Sequence, residues 1–130
     1  LGRDGEIAFA LGPSELTPAP GQGALAIEAR EGDERALAAA AAITNPRALV
    51  ELTAERAVVR GLEADCDTPV GVVSIRSAEH ELTLVGYAGA PDGTEWVRES
   101  VVGDPSQPVA LAEALVEKLD GAGAREALGR

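Results

Sequence analysis

The chain has 130 residues, of which 45% are hydrophobic but only 2% aromatic, and a formal net charge of −11. This charge argues against nucleic acid or an anionic membrane as a partner, because both bind clustered lysines and arginines, and no apolar run of about 18 residues could span a bilayer. The length suits one compact domain or a piece of a larger protein, with a core of alanine, valine and leucine.

The first 43 residues do not predict a unit that closes on itself. Residues 11–21, LGPSELTPAPG, contain three prolines and two glycines and predict an irregular crossing segment. Residues 23–30, GALAIEAR, predict a short buried strand, and Asp33 is the predicted N-cap of an alanine-rich helix. A lone strand and helix need a sheet elsewhere, so we expect residues 1–43 to be trailing segments of other domains of a longer protein.

A second helix is predicted to begin at Asn45 as N-cap, with Pro46 at its first position, where a missing N–H costs nothing. Glu55 falls on the apolar stripe of this helix, which is predicted to run through Leu52, Val59 and Leu62. An acidic group on such a stripe indicates either a structural ion pair or the edge of the stripe.

Three strand-like runs follow, at residues 70–77, 81–89 and 94–102. The turn sequence APDG separates the last two, and the equally short SAEH separates the first two. Connections of this length place neighbouring strands antiparallel, so the pattern predicts a three-stranded meander.

A final helix is predicted over residues 108–120, with leucines four positions apart at Leu111, Leu115 and Leu119 and Gly121 as its stop. Its apolar face must pack on the same side of the sheet as the preceding helix. The predicted fold class is therefore α+β for residues 44–130: a three-stranded antiparallel sheet with helices on one face.

Cys66, the only cysteine, follows the predicted end of the second helix and lies between Asp65 and Asp67. A single cysteine makes no internal disulfide, which favours a reducing cytoplasm. Both aspartates and the helix C-terminus oppose a thiolate, so local physics favours a buried, unreactive thiol. No metal site is predicted, because His80 and Cys66 are single and lie 14 positions apart. His80 is expected to be exposed in a turn.

Two further features could bind a ligand. The turn Gly21–Gly23 would let the backbone approach a partner closely, although a tight turn into a strand is the simpler interpretation. Arg30, together with Arg56 and Arg60 on one helix face, could hold carboxylates; surface solvation or pairing with nearby glutamates is the alternative.

Two segments taken together resemble the porphobilinogen deaminase (hydroxymethylbilane synthase) family. They are PAPGQGALAIEAR at 18–30 and TAERAVVRGLEADCDTPVG at 53–71, with the Glu-Arg pair and the Cys-x-x-Pro-Val-Gly sequence in the second. Either motif alone would be weak, whereas the pair at this spacing is specific, and the resemblance covers nearly the whole chain.

The resemblance implies a transferase of haem and tetrapyrrole biosynthesis that polymerises porphobilinogen to hydroxymethylbilane with release of ammonia. It implies a dipyrromethane cofactor bound through a thioether to Cys66. Gln22 and Gly23 match a segment lining the cofactor cleft, Arg30 matches an arginine that contacts carboxylates, and Arg56 matches a helix arginine of domain packing. The thioether forms on an electrophilic methylene-pyrrole, so a persistent thiolate is not required.

The family's architecture also implies domain boundaries. Residues 1–43 would belong to the domain 2 and domain 1 regions, and residues 44–130 would form the cofactor-attachment domain. The family's catalytic aspartate and most of its arginines lie in the N-terminal domains, so this chain alone is expected to be inactive, without catalytic residues and without loaded cofactor. The full-length enzyme is expected to be a cytoplasmic monomer.

The chain departs from the family pattern beside the cysteine. Ala64 and Asp65 stand where many members have two glycines, and Asp67 adds a second negative charge after Cys66. The alternative hypothesis is a stand-alone α+β binding or regulatory module whose buried cysteine is inert.

Overall fold

The computed structural model of the chain describes residues 2–78 and 80–130. Glu79, in the predicted SAEH turn, lies outside the described residues, and the adjacent His80 lies in a turn and is exposed, as predicted. The helices are α1 (Glu34–Ile43), α2 (Pro46–Gly61), α3 (Pro108–Gly121) and α4 (Ala124–Ala127); the strands are β1 (Val70–Ala78), β2 (Glu81–Gly89) and β3 (Trp96–Gly103), and a single 3-10 turn spans Asp4–Glu6.

The three strands form one antiparallel sheet in the order β1-β2-β3. Val85 in the central strand lies opposite Val73 of β1 and opposite Ser100 of β3. The predicted meander is therefore confirmed, and so is the α+β fold class. The order leaves β1 as an edge strand, whose outer N–H groups need partners from elsewhere in the chain.

The core lies between the sheet and the helices α2 and α3. Its largest fully buried side chains are Leu62, Leu82, Leu84, Leu115, Leu119, Val58 and Val72. The prediction for α3 is confirmed, since all three of its leucines are buried. Within each helix or strand the buried apolar residues recur at the spacing of that element. They therefore form one continuous face that packs against the core.

The predicted stripe on α2 is partly wrong. Ala54, Val58 and Leu62 face the core, whereas Leu52 and Val59 are only half-buried. Leu52 packs instead against the turn at Gly21, where a Cβ would lie 2.9 Å from Leu52 Cδ1. Because the alanine side chains of α2 are short, the helix packs closely on the core. It does so through a face that its larger side chains do not indicate.

The predicted end of the last helix is confirmed to within one residue. Gly121 is the last residue of α3, and the chain reverses at Gly123, which has a φ of 96°. This left-handed conformation is one that glycine adopts without steric cost. The reversal lets α4 pack back on the core through the buried Ala124 and Ala127.

The predicted buried strand at residues 23–30 is wrong. Residues 24–30 form neither helix nor strand, and Leu25 is 94% exposed. Helix α1 does form and Asp33 does cap it, accepting from the Ala36 amide at 3.0 Å. None of the α1 residues, all of which are described, is buried, so this region has local structure without a core.

Candidate functional site

Cys66 lies on the loop that connects α2 to β1, and its side chain is exposed. The expectation of a buried thiol, based on local physics, is therefore wrong. The loop carries the cysteine past the end of α2 before Pro69 leads the chain into the sheet. A thiol in this position is open to a ligand.

Asp65 closes the Cys66 loop through hydrogen bonds of its carboxylate. Its Oδ1 accepts from the Thr68 hydroxyl at 2.5 Å and from the Asp67 amide at 3.1 Å, while Thr68 Oγ1 accepts from the Asp65 amide at 3.0 Å. The Thr68 hydroxyl, followed by the Asp67 amide and the charge of Arg130, lowers the pKa of Asp65 below its ordinary value. The Asp65 side chain thus orders the loop.

Two arginines from the end of the chain hold the other side of this loop. Arg125 Nη2 donates to the Gly61 carbonyl at 3.1 Å, and Arg130 Nη1 donates to the carbonyls of Leu62 and Glu63 at 2.9 and 2.8 Å. The Gly61 carbonyl is one of the C-terminal acceptors of α2, and the Leu62 and Glu63 carbonyls follow directly after the helix end. Cations stabilise that end of a helix. Nothing in the predicted helix pattern indicated this contact.

Cys66 opens into a groove of about 710 Å³ between α2, the loop and the crossing segment. Its lining includes Arg56 and Arg60, which lie one turn apart on α2 and are both exposed. The other lining residues are Ala19, Pro20, Val59, Ala64, Asp65, Thr68, Pro69 and Val70. A thiol beside two guanidinium groups can hold a ligand that carries carboxylates, because guanidinium pairs with carboxylate through two parallel hydrogen bonds.

Glu55 of α2 links the crossing segment to β1. Its Oε2 accepts from the Gly21 amide at 2.7 Å and its Oε1 accepts from the Ser74 amide at 2.8 Å. The predicted ion pair or stripe edge is thus replaced by two backbone hydrogen bonds. The only signal in the sequence was an acidic residue on an apolar stripe, and its partners lie 34 and 19 positions away.

The crossing segment is attached to the edge of β1 at a second point. The Val72 amide donates to the Pro18 carbonyl at 3.0 Å. Gly71 permits this approach, because a Cβ there would lie 2.8 Å from the Thr17 carbonyl oxygen. Together with the Ser74 bond to Glu55, this contact satisfies outward amides of the edge strand.

Three other residues singled out by the sequence, Gln22, Gly23 and Arg30, do not line the groove. Gln22 and Gly23 are exposed in the turn, where Gln22 Oε1 accepts from the Ala19 amide at 3.1 Å. Arg30 is exposed at the far end of the irregular segment. The structure therefore brings Cys66 together with Arg56 and Arg60, and it brings the turn to the groove through Ala19 and Pro20.

Two kinds of feature are absent from the described residues, 2–78 and 80–130. These residues contain no group of three histidine, cysteine, aspartate or glutamate side chains that could hold a metal ion. None of their helices is both long enough and apolar enough to cross a membrane.

The chain is similar to known proteins over nearly its whole length. The family model described as "Porphobilinogen deaminase, C-terminal domain" matches residues 49–121. The chain is 41% identical to the porphobilinogen deaminase of Nocardia farcinica, 40% to that of Thermus thermophilus and 37% to that of Mycobacterium tuberculosis, over 98%, 92% and 97% of its length. It spans 39%, 40% and 43% of these relatives. The chain belongs to the porphobilinogen deaminase family.

Proposed function

We propose that this chain is the C-terminal, cofactor-attachment part of an enzyme that polymerises porphobilinogen to hydroxymethylbilane and releases ammonia. The observation that carries the proposal is the exposed Cys66 thiol in a groove beside Arg56 and Arg60. The activity belongs to the tetrapyrrole and haem pathway and is that of a transferase. Membership of the family supports it, and the relatives named porphobilinogen deaminase are more than twice as long as this chain.

The groove fits a dipyrromethane cofactor. Dipyrromethane supplies a covalently held primer from which the pyrrole chain grows, and it carries acetate and propionate groups. Cys66 would hold it by a thioether. Sγ would bond to the methylene carbon of an electrophilic methylene-pyrrole, whose exocyclic carbon–carbon double bond would open as the thiol proton passed to the pyrrole nitrogen. Arg56 and Arg60 would pair with carboxylates, and the open thiol needs no displacement of core residues.

Gln22, Gly23 and Arg30 are proposed to complete the binding of cofactor and substrate. Gln22 and Gly23 stand in an exposed turn whose preceding residues line the groove. Arg30 has an exposed guanidinium group that could bind a carboxylate. We propose no catalytic residue within this chain, so proton transfer would be the task of other domains.

We further propose that residues 44–130 form the attachment domain and that residues 1–43 pack against other domains of the same enzyme. The large hydrophobic side chains exposed in that segment are Ile7, Phe9, Leu11, Leu16, Leu25, Ile27, Leu37 and Ile43. Such surface is costly to leave in water and marks an interface. The chain alone is expected to be inactive and to carry a bare thiol; the full-length enzyme is expected to be a cytoplasmic monomer that binds neither nucleic acid nor membrane.

The test is the intact mass of the full-length protein. The wild type should carry an adduct with the mass of dipyrromethane, and Cys66→Ser should lack both the adduct and the activity. In Cys66→Ser/Ser106→Cys, an exposed thiol is supplied away from the groove, and it should stay bare. An active full-length protein with an unmodified Cys66 would refute the proposal.

A further inference from the structure

The carboxylate of Glu55 ends at the junction of the crossing segment, α2 and β1. It accepts one backbone amide from the turn, at Gly21, and one from the edge strand, at Ser74. We propose that Glu55 is a positioning residue that holds the Gly21–Gly23 turn beside the Cys66 groove. This inference rests on the proposed function for the role of the turn, but not for the contact itself.

Glu55 connects two segments that lie far apart in the sequence. Both carboxylate oxygens are used, each by a different segment, and the contact is partly shielded from water. Hydrogen bonds from backbone amides to a carboxylate are stronger than those between neutral groups. The bond of Gly21 to Glu55 is formed by the residue that opens the turn, so it sets where the turn lies relative to α2.

The position of the turn matters for the groove because the same segment forms one of its walls. Ala19 and Pro20, which line the groove together with Arg56 and Arg60, directly precede Gly21. The bond from Val72 to Pro18 holds the segment on the other side of this wall. Losing the Glu55 contact would leave the crossing segment held by the Val72 bond to Pro18 and by the Arg98 bonds to Pro13 and Ser14. All of these lie before Pro20, so the end of the wall next to Gly21 would be able to move away from the thiol.

A near-isosteric variant isolates the contact. Glu55→Gln keeps one carbonyl oxygen but places an amide NH2 group against a backbone N–H, so it can serve only one of the two donors. Glu51→Gln is the matched control: it removes the same charge one turn earlier on α2, where the Glu51 carboxylate pairs with Arg76 at 3.6 Å instead of reaching the turn.

The first measurement is amide hydrogen exchange in the full-length protein. In Glu55→Gln the Gly21 or the Ser74 amide should exchange about tenfold faster or more, while the Val58 amide in the buried face of α2 stays within about twofold of the wild type. Glu51→Gln should leave Gly21 unchanged. Unchanged exchange at both Gly21 and Ser74 in Glu55→Gln would overturn the proposal, whatever the enzyme does.

The second measurement separates positioning from a purely structural role. Glu55→Gln should raise KM for porphobilinogen about tenfold and leave kcat within about twofold, since binding geometry is lost and the reacting groups are not. Wild-type KM together with faster exchange would overturn the positioning role. Should Glu55→Gln fail to fold, Glu55→Asp keeps the charge but loses reach, and the same exchange and KM criteria decide. Failure of the proposed function would appear separately, as an active Cys66→Ser enzyme.

Discussion

Residues 2–45 and residues 46–130 contain similar hydrophobic side chains, but only the second region buries them in a core. Both regions are rich in alanine and leucine, yet every buried hydrophobic side chain among the described residues lies between Ala54 and Ala127. In the first region, Leu25 and Phe9 are 94% and 76% exposed. Hydrophobic content alone therefore does not create a core; a matching face must be within reach of the chain.

Helices α1 and α2 show this contrast most clearly, because both have the same kind of N-terminal cap. Asp33 caps α1 and Asn45 caps α2, each with a side-chain oxygen that accepts a backbone amide at 3.0 Å. Only α2 is followed by strands that return to it over short connections. Tertiary packing, rather than capping or propensity, thus decides which helix is stable.

The largest expected difference comes from truncating one leucine in each region. In the 130-residue chain, Leu115→Ala should lower the free energy of unfolding by about 2–5 kcal/mol, because a fully buried side chain leaves a cavity. Leu25→Ala should change it by less than about 0.5 kcal/mol. Urea unfolding followed by circular dichroism measures both.

The comparison with a longer protein sharpens this test. If residues 1–43 pack against other domains, Leu25→Ala should become destabilising in the full-length enzyme. A large loss for Leu25→Ala in the 130-residue chain itself would show that the first region has its own core, and the contrast between the regions would fail.

A smaller difference is expected from the two helix caps. Asn45→Ala should cost about 1 kcal/mol of global stability, since it frees the amides of Arg47 and Ala48 at the start of a packed helix. Asp33→Ala removes an equivalent bond but should leave the urea midpoint unchanged and lower only the helical signal of the folded baseline. Equal shifts of the midpoint would mean that α1 unfolds together with the core.

Much of the fold could be predicted because its signals are local. The caps, the APDG turn and the leucine spacing of α3 each depend on a few neighbouring residues, and each is found in the structure. The strand at residues 23–30 was wrong for the same reason: an apolar run indicates burial, but a strand also needs a partner strand. The stripe on α2 was partly wrong because its buried face is built from Ala54 and Val58, which are smaller than the leucine at position 52.

The site could be predicted only in part. The motif identified Cys66, but local electrostatics gave the wrong burial, since it considered ionisation and not the shape of the loop. Glu55, Arg125 and Arg130 escaped assignment because their partners are backbone groups far along the chain. Backbone acceptors and donors carry no side-chain signal, so contacts of this kind become visible only when the fold is known.

The Cys66 loop belongs to the second region, but hydrogen bonds rather than burial hold it, as in the first region. Its Asp65 carboxylate has a lowered pKa, so its contribution is fully present above the ordinary aspartate value of about 3.9 and is lost as the pH falls through the lower, folded value. The Asp67 amide resonance should therefore be constant from pH 8 to about pH 5 and move only below about pH 4.

Asp92, whose pKa is lowered by Thr94 in the turn before β3, is the matched control away from the thiol. Asp65→Asn should abolish the acid transition at Asp67 and leave the one at Thr94 in place; an Asp67 shift between pH 5 and 8 would mean that another group controls the loop.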